Sequence, residues 1–309
     1  ESILADAGES FVGDAGASVT PTKALGYAPL NQAVSMISGD CAKLPLNVYS
    51  KTDRGRSVAT NHPVQKVVHR YGMTNEEVNG YKFWRRYYVS ALLWGNAYAW
   101  IDRSNRGDVL GLYQLLPDRT WLERTGGVLY CMTQTRRGTR SFLASDCLCL
   151  EGLSIDGLSG AHIVKMFRQD FSTALSAKQF EARFFKNNMN AGGILQVKAG
   201  TNPAKVKKTK EEIEKRYSGS DAAFKTVILR DQMQWISTQV DPQKAQRPML
   251  KEDQVREVAR MYNLPPSRLG LKDSQSYNSG ETDKQNYHDG ALSHWLVANS
   301  AECTTKLLT

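Results

Sequence analysis

Residues 89–101 join two apolar stretches through a Gly-Asn pair, and this arrangement limits what the chain can fold into. The segment reads VSALLWGNAYAWI, with Gly95 and Asn96 between its halves. It is too short to cross a bilayer, which requires about 20 consecutive apolar residues. Helical spacing of apolar residues precedes the break, and a strand pattern follows it. The segment therefore predicts a buried helix that turns at Gly95 into a buried strand.

The composition is that of a globular protein with an excess of positive charge. Of 309 residues, 41% are hydrophobic and 23% are charged, and the net charge is +9. The first 22 residues contain four acidic and no basic residues, so the remaining chain carries +13. We expect such a body to be attracted to polyanions.

The five cysteines do not form a disulfide or metal pattern. They are scattered, odd in number and contain no CxxC pair, which favours reduced thiols in a cytoplasmic setting. In the CLC segment, Cys147 and Cys149 fall on the same side of a strand and are expected to be buried as small hydrophobic residues.

The chain is expected to begin with a mobile leader and to continue as an α/β region. Residues 1–22 are rich in Gly, Ala, Ser and Asp, and order is expected to begin near Leu30. Short helical and strand patterns then follow as far as residue 158. We expect Asn75 to cap the helix that leads to Gly95, and four strands after it to form a small mixed or antiparallel sheet.

Long helices dominate the rest of the chain. An apolar stripe over residues 162–186 predicts a rod of roughly 38 Å, from about 1.5 Å of rise per residue. This rod is either a central core helix or an element packed against neighbouring subunits. A second rod follows Pro242 or Pro248 and ends at Tyr262, and a last helix begins near Glu281.

Patterns for catalysis, metals and cofactors are weak. A near match to the phosphate-binding loop at GLSIDGLS has Leu158 where lysine is required, so it predicts a glycine turn instead. There is no HExxH and no GxSxG. Asp146, Glu151 and Asp156 are the candidate carboxylates, but turn positions explain them better. We expect no catalytic residue, no metal and no cofactor.

Two basic segments have alternative interpretations. FWRRYY, residues 83–88, resembles a nucleic-acid surface, although helical spacing favours buried aromatics with solvated arginines. KVKKTKEEIEKR, residues 205–216, is typical of an exposed charged helix supported by pairs four residues apart. A surface for a polyanion or a protein partner is the alternative there.

A series of motifs resembles one family. In order, they are LPLNVY, LLWGNAYAWIDR, LLPDR, the GLSG turn, ARFFKNN followed by GGIL, and ARMYNLPPSRLG followed by Glu281 in the last helix. Together they resemble the portal proteins of tailed double-stranded DNA bacteriophages over residues 30–308. One departure is Gly160-Ala161 after DGLS, where the family more often has Ser-Pro, so the start of the first long helix is expected to differ.

The resemblance implies an α+β portal fold with an α/β wing, two long stem helices, a small α/β clip, and a tunnel loop that leads into a C-terminal helix. The expected divisions are a leader (1–22), the wing (23–158), stem helix 1 (159–188), the clip (189–241), stem helix 2 (242–266), the tunnel loop (267–280) and a wing- or crown-proximal helix (281–309).

The resemblance also implies a structural role without enzyme activity. The expected assembly is a closed ring, typically of twelve subunits, at a capsid vertex through which DNA is packaged and ejected. Implied partners are double-stranded DNA without sequence specificity, the terminase large subunit, capsid and scaffold proteins, and head-tail connector proteins, with no membrane. The implied location is the virion, with assembly in the host cytoplasm.

Two sets of residues are implied as functional. Those expected to face DNA in the tunnel loop are Arg268, Lys272, Gln275, Ser276, Tyr277 and Asn278. Those expected to face the packaging motor from the clip are Lys205, Lys207, Lys208, Lys210 and Lys215.

Two other classes of function remain open from the residues alone. One is a metal-dependent nucleic-acid-processing enzyme in which Asp146, Glu151 and Asp156 hold a divalent ion. The other is a monomeric module that binds anionic partners through its basic face. Metal-dependent DNA cleavage would distinguish the first, and the mass in solution the second.

Overall fold

The computed structural model describes residues 10–53, 55–186, 193–196, 207, 211, 234–237, 247–271 and 279–308. The α-helices are α1 (Pro21–Leu25), α2 (Ala28–Lys43), α3 (Pro63–Val68), α4 (Gly80–Trp94), α5 (Ile163–Met166), α6 (Arg168–Lys186), α7 (Arg247–Met261), α8 (Ser279–Asn286) and α9 (Ser293–Leu307). Short 3-10 turns occur at Pro117–Arg119, Ala144–Asp146 and Pro266–Leu269, and a π-helical segment occupies Tyr287–Leu292.

Twelve strands are found among these residues. They are β1 (Phe11–Val12), β2 (Ser18–Val19), β3 (Tyr49–Thr52), β4 (Gly55–Val58), β5 (Asn96–Arg103), β6 (Val109–Leu115), β7 (Thr120–Thr125), β8 (Val128–Thr135), β9 (Gly138–Leu143), β10 (Cys147–Glu151), β11 (Gly193–Gln196) and β12 (Gln234–Ser237). All their pairings are antiparallel. None of the described helices is long and apolar enough to cross a membrane.

Helix α4 forms the centre of the core and packs against α2. Its FWRRYY aromatics are all buried, whereas Arg85 and Arg86 are exposed, which confirms the interpretation as core and solvated face. The expected cap was wrong. Asn79, not Asn75, accepts the backbone N–H of Lys82 at the helix start. Asn75 instead closes the preceding turn and donates to the Leu112 carbonyl.

Two three-stranded sheets replace the single small sheet that was expected. One has the order β10-β5-β6, with α9 packed against β10, and the other has the order β7-β8-β9. Cys131 and Cys147 are fully buried, and Cys149 is partly buried beside them. Burial as small hydrophobic residues is confirmed for Cys147 and holds in part for Cys149.

The N-terminal segment differs from the expected mobile leader. Residues 10–22 include the β1-β2 hairpin, and Val19 is fully buried. Ser172 and Ser176 of α6 donate hydrogen bonds to the carbonyls of Ala17 and Ala15. Residues 10–22 are therefore a strap on α6, and the expectation that order begins near Leu30 was wrong because the contacts lie about 150 residues apart in sequence.

The first long helix is interrupted near its start. Phe167 leaves helical geometry between α5 and α6, so the uninterrupted rod has 19 residues and is roughly 28 Å long. Its apolar stripe is buried at Phe171 and Ala174 but exposed at Ala177 and Phe180. Lys251 of α7 forms an ion pair with Glu181 of α6 at 2.9 Å.

The described part of the expected clip is small. β11 pairs with β12, with Gly193 opposite Ser237. Lys207 and Glu211 are helical and exposed, as expected for the charged helix. The other clip residues expected to face the motor, Lys205, Lys208, Lys210 and Lys215, lie outside the described residues.

Candidate functional site

The structure describes both ends of the expected tunnel loop. On one side, the 3-10 turn at Pro266–Leu269 ends at Gly270, whose φ of 85° is the left-handed conformation that glycine adopts readily. On the other side, α8 begins at Ser279. Arg268 lies in the first element. The remaining residues expected to face DNA, Lys272, Gln275, Ser276, Tyr277 and Asn278, lie outside the described residues.

Side-chain contacts join the two ends. The Ser267 hydroxyl donates to Oδ2 of Asp283 at 2.7 Å. The guanidinium of Arg268 lies 4.5 Å from the centroid of the Tyr287 ring, a cation–π distance. We refer to Ser267, Arg268, Asp283 and Tyr287 as the loop base. These contacts connect the 3-10 turn at Pro266–Leu269 to α8 and to the π-helical segment that follows it.

The loop base is anchored on α2. The Gln32 side-chain amide donates to the Arg268 carbonyl at 2.7 Å, and the Tyr287 hydroxyl donates to Oδ2 of Asp40 at 2.7 Å. Burial, with the adjacent Asp40 carboxylate, raises the pKa of Tyr287 well above its ordinary value. The phenol therefore stays protonated and acts as a hydrogen-bond donor. Both ends of the loop base are thus bonded to α2.

A cleft with a mixed polar and apolar lining lies beside these residues. Its volume is about 550 Å³, and its lining includes Pro265, Asp283, Asn286 and Asp289. Asn263, with φ of 51°, donates from its side chain to the Gly290 carbonyl at 3.1 Å. This contact ties the end of α7 to the π-helical segment that carries Tyr287.

A second group of contacts joins the start of β5 to the segment between β10 and α5. The Asn96 side chain donates to the Gly160 carbonyl at 2.8 Å and accepts from the Gly160 N–H at 2.7 Å. Gly152 donates to the Gly95 carbonyl at 2.9 Å. A Cβ on Gly95 would overlap the Ala161 carbonyl, and one on Gly160 would overlap the Gly95 carbonyl. We call these contacts the Gly95–Gly160 junction.

The three candidate carboxylates have different partners and do not form a common site. Asp146 forms an ion pair with Arg103 at 3.4 Å. Asp156 accepts from the backbone N–H groups of Leu158 and Ser159, which lowers its pKa to about 2. Glu151 is exposed at the end of β10. Within the part of the chain that the structure describes, no three His, Cys, Asp or Glu side chains are grouped to hold a metal.

Comparison with known proteins settles the family. Residues 29–309 match the family described as phage portal protein. The chain belongs to the phage portal protein family. It is 25% identical over 273 residues to the portal protein of Enterobacteria phage HK97, covering 87% of this chain and 63% of that protein.

A second curated relative agrees. The chain is 24% identical over 285 residues to the probable portal protein of Streptomyces phage phiC31, covering 87% of this chain and 61% of that protein. The chain thus spans less than two thirds of the length of these two portal proteins. The resemblance to the portal family that the motifs indicated is confirmed.

Solved structures share the portal fold. An HK97-family portal protein from Corynebacterium diphtheriae aligns with a TM-score of 0.66 at 15% identity, covering 96% of this chain and 91% of that one. Chains from the necks of empty and native gene transfer agent particles align with TM-scores of 0.68 and 0.63, at 18% and 16% identity. Each alignment covers 99% of this chain and 86% or 85% of the neck chain. The expected α+β portal fold is confirmed.

Sequence reasoning found Arg268 but missed the residues that hold it. Gln32, Asp40 and Tyr287 carry no motif, since each is separated from its partner by many residues. Asn96 was recognised as part of a break but not as the partner of Gly160. A glycine-asparagine break followed by a glycine-rich turn was the only sequence signal for that junction.

Proposed function

We propose that this portal-family chain forms a closed ring at a capsid vertex and that double-stranded DNA passes through the ring during packaging and ejection. The expected ring has twelve subunits. One of the neck structures that share its fold is described as computed with C12 symmetry and another with C6 symmetry, which supports a ring of this kind. Its place is the virion, after assembly in the host cytoplasm.

The exposed part of α6 supports assembly into a ring. The apolar stripe continues past Ala174 to Ala177 and Phe180, and the Phe180 side chain is 55% exposed. An apolar stripe on a long helix is stabilised when a neighbouring element covers it. A second subunit beside α6 would cover this stripe and extend the wall of the channel.

The observation that carries the role in DNA passage is the braced loop base. It holds Arg268 at the start of the loop, and Lys272 adds a second positive charge four residues later in the sequence. A conduit needs to attract phosphates without reading base edges, so that the duplex can slide. Polar and basic side chains on a loop with fixed ends meet that requirement. We place Arg268, Lys272, Gln275, Ser276, Tyr277 and Asn278 along the DNA path.

The clip lysines serve a different partner in this proposal. Lys207 is exposed on a helical segment, and Lys205, Lys208, Lys210 and Lys215 share that charged stretch. We assign these five lysines to docking of the terminase large subunit and head-completion proteins. Other partners in the proposal are the capsid and scaffold proteins, and the ring acts as a structural component rather than an enzyme.

Charge reversal tests the two assignments separately. Lys272→Glu should reduce DNA packaging strongly while rings still form, whereas Lys66→Glu, an exposed lysine of α3, should leave packaging unchanged. Reversing Lys205, Lys207 and Lys208 together should weaken motor docking in a pull-down assay. Unaltered packaging by the Lys272 variant would reject the channel placement, and unaltered docking by the triple variant would reject the clip assignment.

A further inference from the structure

A basic cleft lies between the end of β6 and the β8–β9 hairpin. The hairpin turns through Arg136 and Arg137, and Arg140 follows on β9 opposite Thr133. The cleft has a volume of about 600 Å³, and these three arginines line it together with Gln114, Leu115, Leu116 and the β8 residues Thr133, Gln134 and Thr135. None of the described residues that line it is acidic.

The arginines are held on a defined turn. The Thr135 hydroxyl donates to the Gly138 carbonyl at 2.7 Å and accepts from the Arg137 N–H at 3.3 Å. Gly138 has φ of 112°, which a side chain would strain. Arg137 and Arg140 are exposed, and among the described residues neither forms an ion pair. Their guanidinium groups are available to an external anion.

The donor set of the cleft matches phosphate better than it matches a protein. A guanidinium offers a planar pair of N–H donors that suits phosphate oxygens. The exposed amide of Gln134 can add a further donor to a DNA phosphate. A protein partner would use a buried aromatic or aliphatic anchor at the centre of the contact. The exposed rim of this cleft is instead formed by Gln134, Thr135 and the arginines, whereas its apolar residues, Leu115 and Leu116, are partly buried.

We propose that this cleft binds the sugar–phosphate backbone of duplex DNA, without sequence specificity, at a site separate from the channel. β8 packs against the 3-10 turns at Pro117–Arg119 and Ala144–Asp146, whereas the loop base packs against α2. The site therefore goes beyond passage of DNA through a ring. It rests on the proposed function in taking DNA as the available polyanion and in placing the channel beside the loop base.

A covalently closed circular duplex is the probe, because it cannot be threaded through a ring that has already closed. The purified full chain, assembled beforehand, is titrated with this circle at salt concentrations from about 50 to about 200 mM. The test variant is Arg137→Glu with Arg140→Glu. The matched control is Arg106→Glu with Arg124→Glu, which makes the same charge change at two other exposed arginines.

The expected result is at least about tenfold weaker binding of the circle by the test variant at about 0.1 M salt. A plot of log affinity against log salt has a negative slope, and its magnitude should decrease by about 2, because two phosphate contacts are lost. The control should weaken binding by less than about threefold. Failure of the wild-type protein to bind the circle, or equal loss in both variants, would overturn the proposal.

Two further measurements distinguish failure of this proposal from failure of the proposed ring. If poly-glutamate binding is lost in the test variant while binding of the circle is unchanged, the cleft serves an acidic protein and the proposal is wrong. Light scattering on the same samples reports ring formation independently. If the protein forms rings but does not bind the circle, only this inference is rejected. If the protein is a monomer and binds the circle, only the proposed ring is rejected.

Discussion

The Gly95–Gly160 junction and the loop base both join distant parts of the chain, but they do so with different chemistry. The junction brings backbone against backbone, and its only side-chain partner is Asn96, which bonds both polar groups of Gly160. The loop base relies on side chains, namely Arg268 stacked on Tyr287 and Ser267 bonded to Asp283. Tyr287 is buried, and the other three are partly exposed. The junction tolerates almost no added atoms, whereas the loop base can adjust.

This difference separates folding from function. Backbone overlap is costly because neither partner can rotate away. A single cation–π or hydroxyl contact that involves partly exposed side chains contributes much less. We therefore expect variants at the junction to lose stability, and variants at the loop base to keep their fold and lose DNA passage.

The largest expected effect is at Gly160. Gly160→Ala would place a Cβ against the Gly95 carbonyl, and we expect a loss of about 3 kcal/mol or more in the free energy of unfolding. Gly157→Ala is the matched control in the same turn. Unlike Gly160, it has positive φ, at 70°, but it has open space around it, so about 1–2 kcal/mol is expected. Equal losses in urea unfolding would contradict the junction.

Asn96→Ala should rank second. It removes both hydrogen bonds to Gly160 and leaves a backbone N–H without that acceptor, so a loss of about 2 kcal/mol is expected. Asn105→Ala, in an exposed turn, should stay within about 0.5 kcal/mol of the wild type. If thermal or urea unfolding gives the two variants the same stability, Asn96 does not bridge the segments as described.

Arg268→Gln should change the stability little but should reduce DNA packaging strongly. Losing a cation–π contact at a partly exposed site costs about 0.5–1 kcal/mol. We expect packaging to fall sharply, because a positive charge beside the DNA path is lost. Arg268→Lys keeps the charge and should retain most packaging. A Gln variant that packages normally would show that the loop base has only a structural role.

The smallest effect is expected at Asp156 and only in acid. Backbone hydrogen bonds from Ser159 and Leu158 lower the pKa of this carboxylate from 3.8 to about 2. Its contribution to stability is therefore fully present above about pH 5 and is lost as the pH falls from about 4 to about 2. The melting temperatures of the wild type and of Asp156→Asn should therefore converge as the pH falls through that interval. A difference that stays constant with pH would contradict this assignment.

Local patterns in the sequence predicted the elements that depend on local packing. The buried aromatics of FWRRYY and the break at Gly95 followed from helical spacing and from glycine chemistry. The cap was misassigned because Asn75 and Asn79 are both good caps, and only the contact of Asn75 with Leu112 decides between them. The interruption at Phe167 likewise had no clear sequence signal.

Long-range contacts were the part that sequence could not supply. The strap formed by residues 10–22 was interpreted as a mobile leader because its small polar residues lack periodicity, yet α6 provides its partners. Arg268 was placed in the functional loop through the family resemblance, whereas its stacking on Tyr287 and the anchoring on α2 depend on the fold. The division into wing, stem, clip and tunnel loop stays a prediction.

The most direct test of the central proposal is the mass of the assembled protein in solution. Light scattering of the purified chain, with negative-stain images of the same peak, should give a closed particle of about twelve subunits with a central hole. In such a particle, the exposed stripe of α6 would be covered by its neighbour. A strict monomer, even at high protein concentration, would contradict the ring.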